Sequence, residues 1–165
     1  MNAQCAPITA ADFSVVASLG ERIWRQHYAS IISASQIEYM LAGRYAPNKL
    51  VAYINADDRW LLVVREGGDA VGYFSYARLS AEEMKLEQLY LLAERRGRGL
   101  GSLMMTHVEA HARTLGCTRV VLTVNKRNTS SIAIYEARGF VIRESAVFDI
   151  GDGYVMDDSV MVKML

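Results

Sequence analysis

Two cysteines in 165 residues, Cys5 and Cys117, leave no disulfide scaffold, and their wide separation suits a reducing compartment in which each is a small buried hydrophobe. No apolar stretch reaches the length of a membrane span, and no basic segment followed by an apolar run opens the chain. A membrane partner is therefore not expected, and a cytoplasmic location is. An excess of one charge is missing too: 18 Lys and Arg stand against 18 Asp and Glu. That balance removes any global field toward nucleic acid or an anionic surface, so an anionic ligand has to be gripped by a local device. Repeats, low-complexity runs and linkers are absent as well. With 52% hydrophobic residues, this length supports one filled core and a single domain over residues 1–165.

The local device is Arg96-Gly97-Arg98-Gly99-Leu100-Gly101, between an apolar run and an amphipathic segment. Closely spaced glycines let the backbone approach a ligand, and the first amides of the following helix add partial positive charge. That is the build of a diphosphate seat. The nucleoside triphosphate loop is excluded because no lysine precedes Ser102, and the Gly-x-Gly-x-x-Gly dinucleotide spacing fails. A plain tight turn with its arginines facing water is the alternative.

Around this device the periodicity predicts an α/β protein. A first strand covers Gln4–Ile8, and Thr9 or Asp12 caps a helix carrying Val15, Val16, Leu19, Ile23 and Trp24. Ser35-Gln36-Ile37-Glu38 fits a capping box for a second helix, and Pro47 opens a third through Ile54. Strands follow over Trp60–Arg65 and Ala70–Leu79 around the Gly67-Gly68 turn, then over Lys85–Leu91. A helix over Leu100–Leu115 leads to a β-branched strand, Thr118–Val124, parallel to Lys85–Leu91 by the right-handed crossover rule. Asn128 caps a short helix that stops at Gly139, and strands Phe140–Ile150 and Tyr154–Met164 finish a mixed, mostly antiparallel sheet with helices on its faces. The apolar last strand either closes its own sheet or meets a second copy in a homodimer.

Arg96-x-x-Gly99-x-Gly101, preceded by Leu89-Tyr90-Leu91 and followed by Asn128-x-x-Ser131-x-x-x-Tyr135-Glu136-x-x-Gly139-Phe140, resembles the GCN5-related N-acetyltransferase (GNAT) superfamily, in particular its small prokaryotic members. The resemblance implies a GNAT-like fold whose parallel pair splays apart, and acetyl transfer from acetyl-CoA to a primary amine of a small molecule by direct attack in a ternary complex. Some members of the subgroup are assigned to polyamines. Carried onto this chain, Arg96, Gly97, Arg98, Gly99, Leu100, Gly101 and Ser102 hold the cofactor pyrophosphate, and Leu89, Tyr90 and Leu91 pair with the pantetheine arm. Asn128 and Ser131 lie along that arm, and Tyr135 points its hydroxyl at the sulfur. Ser131 replaces a common alanine, and Ala93 a common proline.

The chemistry asks for a neutral amine and for stabilisation of charge on the carbonyl oxygen and then on sulfur. A phenol stays protonated at neutral pH, which suits Tyr135 as the acid. Glu87, taken to share a face with Leu89 and Leu91, is either the group that meets the substrate ammonium and its proton or a solvent-facing strand residue. Trp24, Tyr28 and Tyr39 are candidate acceptor-site residues whose rings can cover an alkyl amine, or are ordinary core. Asp152, Asp157 and Asp158 attract a polycation or serve the turn. His107 and His111 lack a third ligand, so no metal is expected. The different class left open is a non-catalytic acyl-CoA-binding module.

Overall fold

The computed structural model describes residues 2–165. They divide into two compact units: the chain up to Ala77 with Leu86–Val108, and Arg78–Lys85 with Glu109–Leu165.

In the first unit, β1 (Ala3–Pro7), β2 (Arg59–Glu66), β3 (Asp69–Arg78) and β4 (Glu83–Leu91) are neighbours in that order. β1 and β2 run antiparallel, as do β2 and β3, with Val63 opposite Tyr73 and Leu62 opposite Phe74. Gly67 and Gly68, both at positive φ, make the two-residue turn between β2 and β3, which matches the right-handed strand twist. Helices α1 (Phe13–His27), α2 (Ala34–Leu41) and α3 (Pro47–Leu50) precede β2, and α4 (Leu100–Thr114) follows β4.

Adjacent strand residues face opposite ways, and the contacts follow that rule. Tyr73 joins the core under α1 with Val16, Leu19, Ile23 and Val63, while Phe74 meets His107 of α4 edge-on at 5.5 Å. Gly72 sits where β3 comes closest to β4: a Cβ there would lie 2.4 Å from the Tyr90 carbonyl oxygen. Before α1, the Asp12 carboxylate accepts from the Thr9 amide at 2.8 Å and pairs with Arg65 at 2.6 Å. Burial works to raise its pKa, but these bonds outweigh it and hold the carboxyl below the usual range.

The cap of α2 is Ser33, whose hydroxyl accepts from the Gln36 amide at 3.1 Å, rather than Ser35. Two capping boxes overlap here, and the later one loses its acid because Glu38 pairs with Arg25 of α1.

In the second unit, β5 (Arg119–Asn125), β6 (Val141–Gly151) and β7 (Tyr154–Met164) stand in the order β5-β7-β6, beside residues 83–85 of β4. The Thr118 and Arg119 amides both donate to the Glu82 carbonyl, at 2.8 and 3.2 Å. β4 and β5 start from that point in the same direction, giving a parallel pair in a mixed sheet. Both pairs involving β7 are antiparallel. Thus the last strand is interior and β6 is the edge, which moves the candidate dimer surface off Tyr154–Met164. Buried Glu109 holds Lys163 at 2.9 Å and Arg138 at 3.3 Å, fixing the end of α4 to β7 and to the close of α5 (Thr129–Ala137).

Candidate active site

β4 stops at Leu91, the Leu92 amide donates to the Val71 carbonyl at 3.0 Å, and a short 3-10 turn leads into the glycine cluster. Gly97 and Gly99 have φ of 72° and 83°, a region that a Cβ disfavours. Among the described residues, the amides of residues 97–102 donate to no backbone carbonyl, whereas Leu103 donates to Gly99 as the first helical bond of α4. A run of unused N–H groups ending at a helix N-terminus fits a diphosphate. The arginines here are differently placed from a phosphate clamp. Arg95 and Arg98 pair with Glu66 at 2.8 and 3.1 Å, and Arg96 donates to the Leu91 carbonyl at 3.3 Å. They stake the loop to its own unit and leave its main-chain amides open.

On the other side of β4, aromatic side chains gather around Tyr90. Trp24 packs on Tyr28 with ring centroids 4.6 Å apart and meets Tyr90 edge-on at 5.9 Å. The Tyr28 and Tyr90 hydroxyls lie 3.2 Å apart. Tyr45 donates to Gln88 Oε1 at 2.9 Å and shares a bond with the Tyr73 hydroxyl at 2.5 Å, and Gln88 donates to Ser75 at 3.1 Å. Burial, before any other influence, pushes the Tyr73 and Tyr90 hydroxyls well above the ordinary phenol range, so they remain neutral donors. Gly20 of α1 makes room for Tyr45, since a Cβ there would lie 2.5 Å from its ring. Of the three rings expected here, Trp24 and Tyr28 belong to one buried cluster, and Tyr39, half-buried on α2, lies outside it. Arg44, Tyr45 and Gln88 carried no sequence signal. A groove of about 420 Å³ also crosses α1 and α2, but its charges, Glu21, Arg25 and Glu38, are paired with one another.

Glu87 is exposed on β4, as the solvent-facing reading has it, and accepts from the Tyr53 hydroxyl at 3.3 Å.

In the second unit, Asn125 at the end of β5 accepts the Arg127 amide at 2.9 Å, closing the turn that delivers Asn128. Asn128 precedes α5 as expected, but its side chain makes no cap bond; it is buried, with Oδ1 3.5 Å from the Ser130 hydroxyl. Ser131 and Tyr135 are half-buried on α5, and the Tyr135 ring meets Phe140 edge-on at 5.8 Å. Asp158 is not a turn residue. It is 6% exposed on β7 opposite Asn125, and its Oδ1 has no partner among the described residues. Burial first, then neighbouring Asp157, push its carboxyl up to about 6 against Lys85 and Lys126. No group of three metal-ligating side chains occurs among the described residues, and no helix is long and apolar enough to cross a membrane.

A strand running into a glycine turn with unused amides at a helix N-terminus, in a mixed α/β fold, is the build of a protein that can receive a diphosphate-bearing ligand. The comparisons narrow this class. The acetyltransferase (GNAT) family model matches residues 20–140. An uncharacterised N-acetyltransferase of Mycobacterium tuberculosis is 31% identical over 140 residues, 85% of this chain and 83% of that one. Spermidine N(1)-acetyltransferase of Thermoplasma acidophilum is 21% identical over 161 residues, covering 95% and 97% of the two chains. The crystal structure of the PaiA N-acetyltransferase of T. acidophilum in complex with coenzyme A matches with a TM-score of 0.85 at 20% identity, over 100% of both chains. The chain belongs to the GNAT family. It is an acetyltransferase, and its acetyl donor is acetyl-CoA.

Proposed function

We propose that this protein acetylates the primary amine of a small molecule by direct attack in a ternary complex. The observation that carries the reading is the run of unused amides over residues 97–102, which would receive the cofactor pyrophosphate. The backbone edge of Leu89, Tyr90 and Leu91 would meet the pantetheine arm, with Asn128 and Ser131 along it. Bound acetyl-CoA supplies a thioester whose carbonyl carbon accepts the amine nitrogen as the C–S bond breaks.

Tyr135 gives its hydroxyl proton to the departing sulfur and recovers one from solvent. Exposed Glu87 draws the ammonium form of the acceptor and takes its proton through water. Trp24 and Tyr28 cover the acceptor's alkyl portion, and Tyr39 belongs to the approach along α2. The likeness to a spermidine acetyltransferase supports a polyamine as one acceptor class. The assembly is a homodimer built along β6.

Free-thiol release from acetyl-CoA with a panel of amines tests the reading. Tyr135→Phe is expected to lower kcat about a hundredfold, within the usual range for loss of a general acid, with cofactor affinity nearly unchanged. Tight cofactor binding without thiol release from any amine would instead show a binding module.

A further inference from the structure

The loop that presents the unused amides has almost no packing of its own. Leu92 and Leu100 are buried, but none of residues 93–99 between them is, and a Cβ at Gly97 would meet nothing within 4 Å. Gly97 and Gly99 also leave the backbone a wide choice of conformations, so order has to be imposed on it. Main-chain bonds do little of this. The Arg95 amide donates to the Leu92 carbonyl at 2.9 Å and the Arg96 amide to that of Ala93 at 3.3 Å; among the described residues the next such bond is that of Leu103 to Gly99.

Side chains therefore have to hold the shape. Glu94 meets Arg22 at 2.5 Å, but both are about half exposed, and an exposed pair contributes little. Arg96 makes one long bond to the Leu91 carbonyl. The stronger hold is Glu66, whose side chain is 12% exposed. Its Oε2 accepts from Arg95 Nη1 at 2.8 Å, and Arg98 reaches both carboxylate oxygens, Nη2 to Oε1 at 3.1 Å and Nη1 to Oε2 at 3.2 Å. Two parallel bonds from one guanidinium fix direction as well as distance. Arg95 and Arg98 stand on either side of Arg96 and Gly97, so one carboxylate clamps both ends of the positive-φ turn. Glu66 is itself well placed to do so. It ends β2 opposite Ala3 of β1 and Asp69 of β3, directly before the Gly67-Gly68 turn. Its neighbour Arg65 reaches Asp12 ahead of α1, while Glu66 reaches the loop ahead of α4, as alternation along a strand allows.

Charge alone gives the opposite expectation from geometry. A carboxylate near the seat of a polyanion repels it and cancels two arginines, so removing Glu66 would strengthen acetyl-CoA binding if charge were its role. Yet the Arg98 side chain is 48% exposed, and a charge freed there is screened by water and salt. Amides that must converge on one diphosphate lose more when the loop that aligns them is released.

We propose that Glu66 is a positioning residue for the acetyl donor: by clamping Arg95 and Arg98 it holds the amides of residues 97–102 ready for the pyrophosphate. The proposal rests on the reading of those amides as the pyrophosphate seat. Glu66 touches neither donor nor acceptor, so donor affinity depends on it and the chemical step does not.

Calorimetry with acetyl-CoA and thiol-release kinetics on the complete chain test this. Glu66→Gln keeps the size of the side chain and removes its charge. It is expected to raise the Kd and KM for acetyl-CoA about tenfold, as loss of a charge-assisted clamp implies, with kcat at saturating donor and the acceptor KM changed by less than about twofold. Glu66→Asp, one methylene short, should fall between the two. Asp58→Asn breaks the exposed Asp58–Arg59 pair at the other end of β2 and should leave the Kd unchanged. Trypsin supplies a readout without turnover: cleavage after Arg95, Arg96 and Arg98 should quicken in Glu66→Gln and be suppressed by acetyl-CoA. Equal thermal midpoints show that the variants fold; if Glu66→Gln does not, Glu66→Asp decides by the same comparison. An unchanged or lower Kd in the folded variant would overturn this inference and leave the seat standing. Absence of acetyl-CoA binding by the unaltered chain would overturn both.

Discussion

Gly99 and Gly101 are two glycines of one motif with different reasons to be there. At Gly99 the φ of 83° makes any Cβ strained, at about 1 kcal/mol or more. Gly101 is within α4, and a Cβ there meets only Leu91 at 4.0 Å. Gly101→Ala should keep or raise the urea midpoint, because alanine favours a helix. Gly99→Ala should lower that midpoint and also weaken acetyl-CoA binding in calorimetry, since it bends the amides away from the pyrophosphate. Asp158 gives a pH-dependent expectation at the same scale. Its folded pKa of about 6 lies above the unfolded value of about 3.9. Between those values the folded state holds the extra proton, so stability from this group is complete below pH 4 and is lost as pH rises through 6. Asp158→Asn removes that loss. Its stability relative to the unaltered chain should improve by about 2 kcal/mol between pH 4 and pH 8, as measured by urea unfolding.

At the scale of elements, β4 organises the first unit's share of the site. Gln88 and Tyr90 face the aromatic cluster, Leu91 faces α4, and Gly72 of β3 accepts the close approach of the Tyr90 carbonyl. Gly72→Ala would put a Cβ 2.4 Å from that oxygen and should cost about 1–3 kcal/mol while weakening acceptor binding, seen as a lower thermal midpoint and a higher KM. The start of α2 shows how far pattern reading goes. Ser33 and Ser35 each begin a capping box, and nothing local separates them. The choice falls to Ser33 because Arg25, on another helix, claims Glu38. Ser33→Ala should therefore cost about 1 kcal/mol, and Ser35→Ala markedly less, in the same unfolding assay.

For the molecule as a whole, β6 is the strand with a single neighbour in the second unit, and it leaves Val141, Ile142, Val147 and Phe148 exposed. A long apolar edge invites pairing with a like edge. The expected homodimer should give a light-scattering mass about twice the 18.4 kDa of the chain, and Val147→Lys should shift it toward the monomer. A monomeric mass at micromolar concentration would remove that assembly.

Elements, glycine turn and family could be read from the residues because each depends on neighbours in the chain: helical and strand periodicity, positive-φ glycines, and motifs spanning Leu89 to Phe140. The aromatic cluster around Tyr90 could not. Tyr45 meets Gln88 across 43 positions and Tyr28 meets Tyr90 across 62. Glu87 and Asp158 show the same limit: two carboxylates on strands look alike in one dimension, yet folding exposes the first and buries the second. Charge and burial depend on distances that chain order leaves open, and those distances exist only once the strands have paired and the helices have packed upon them.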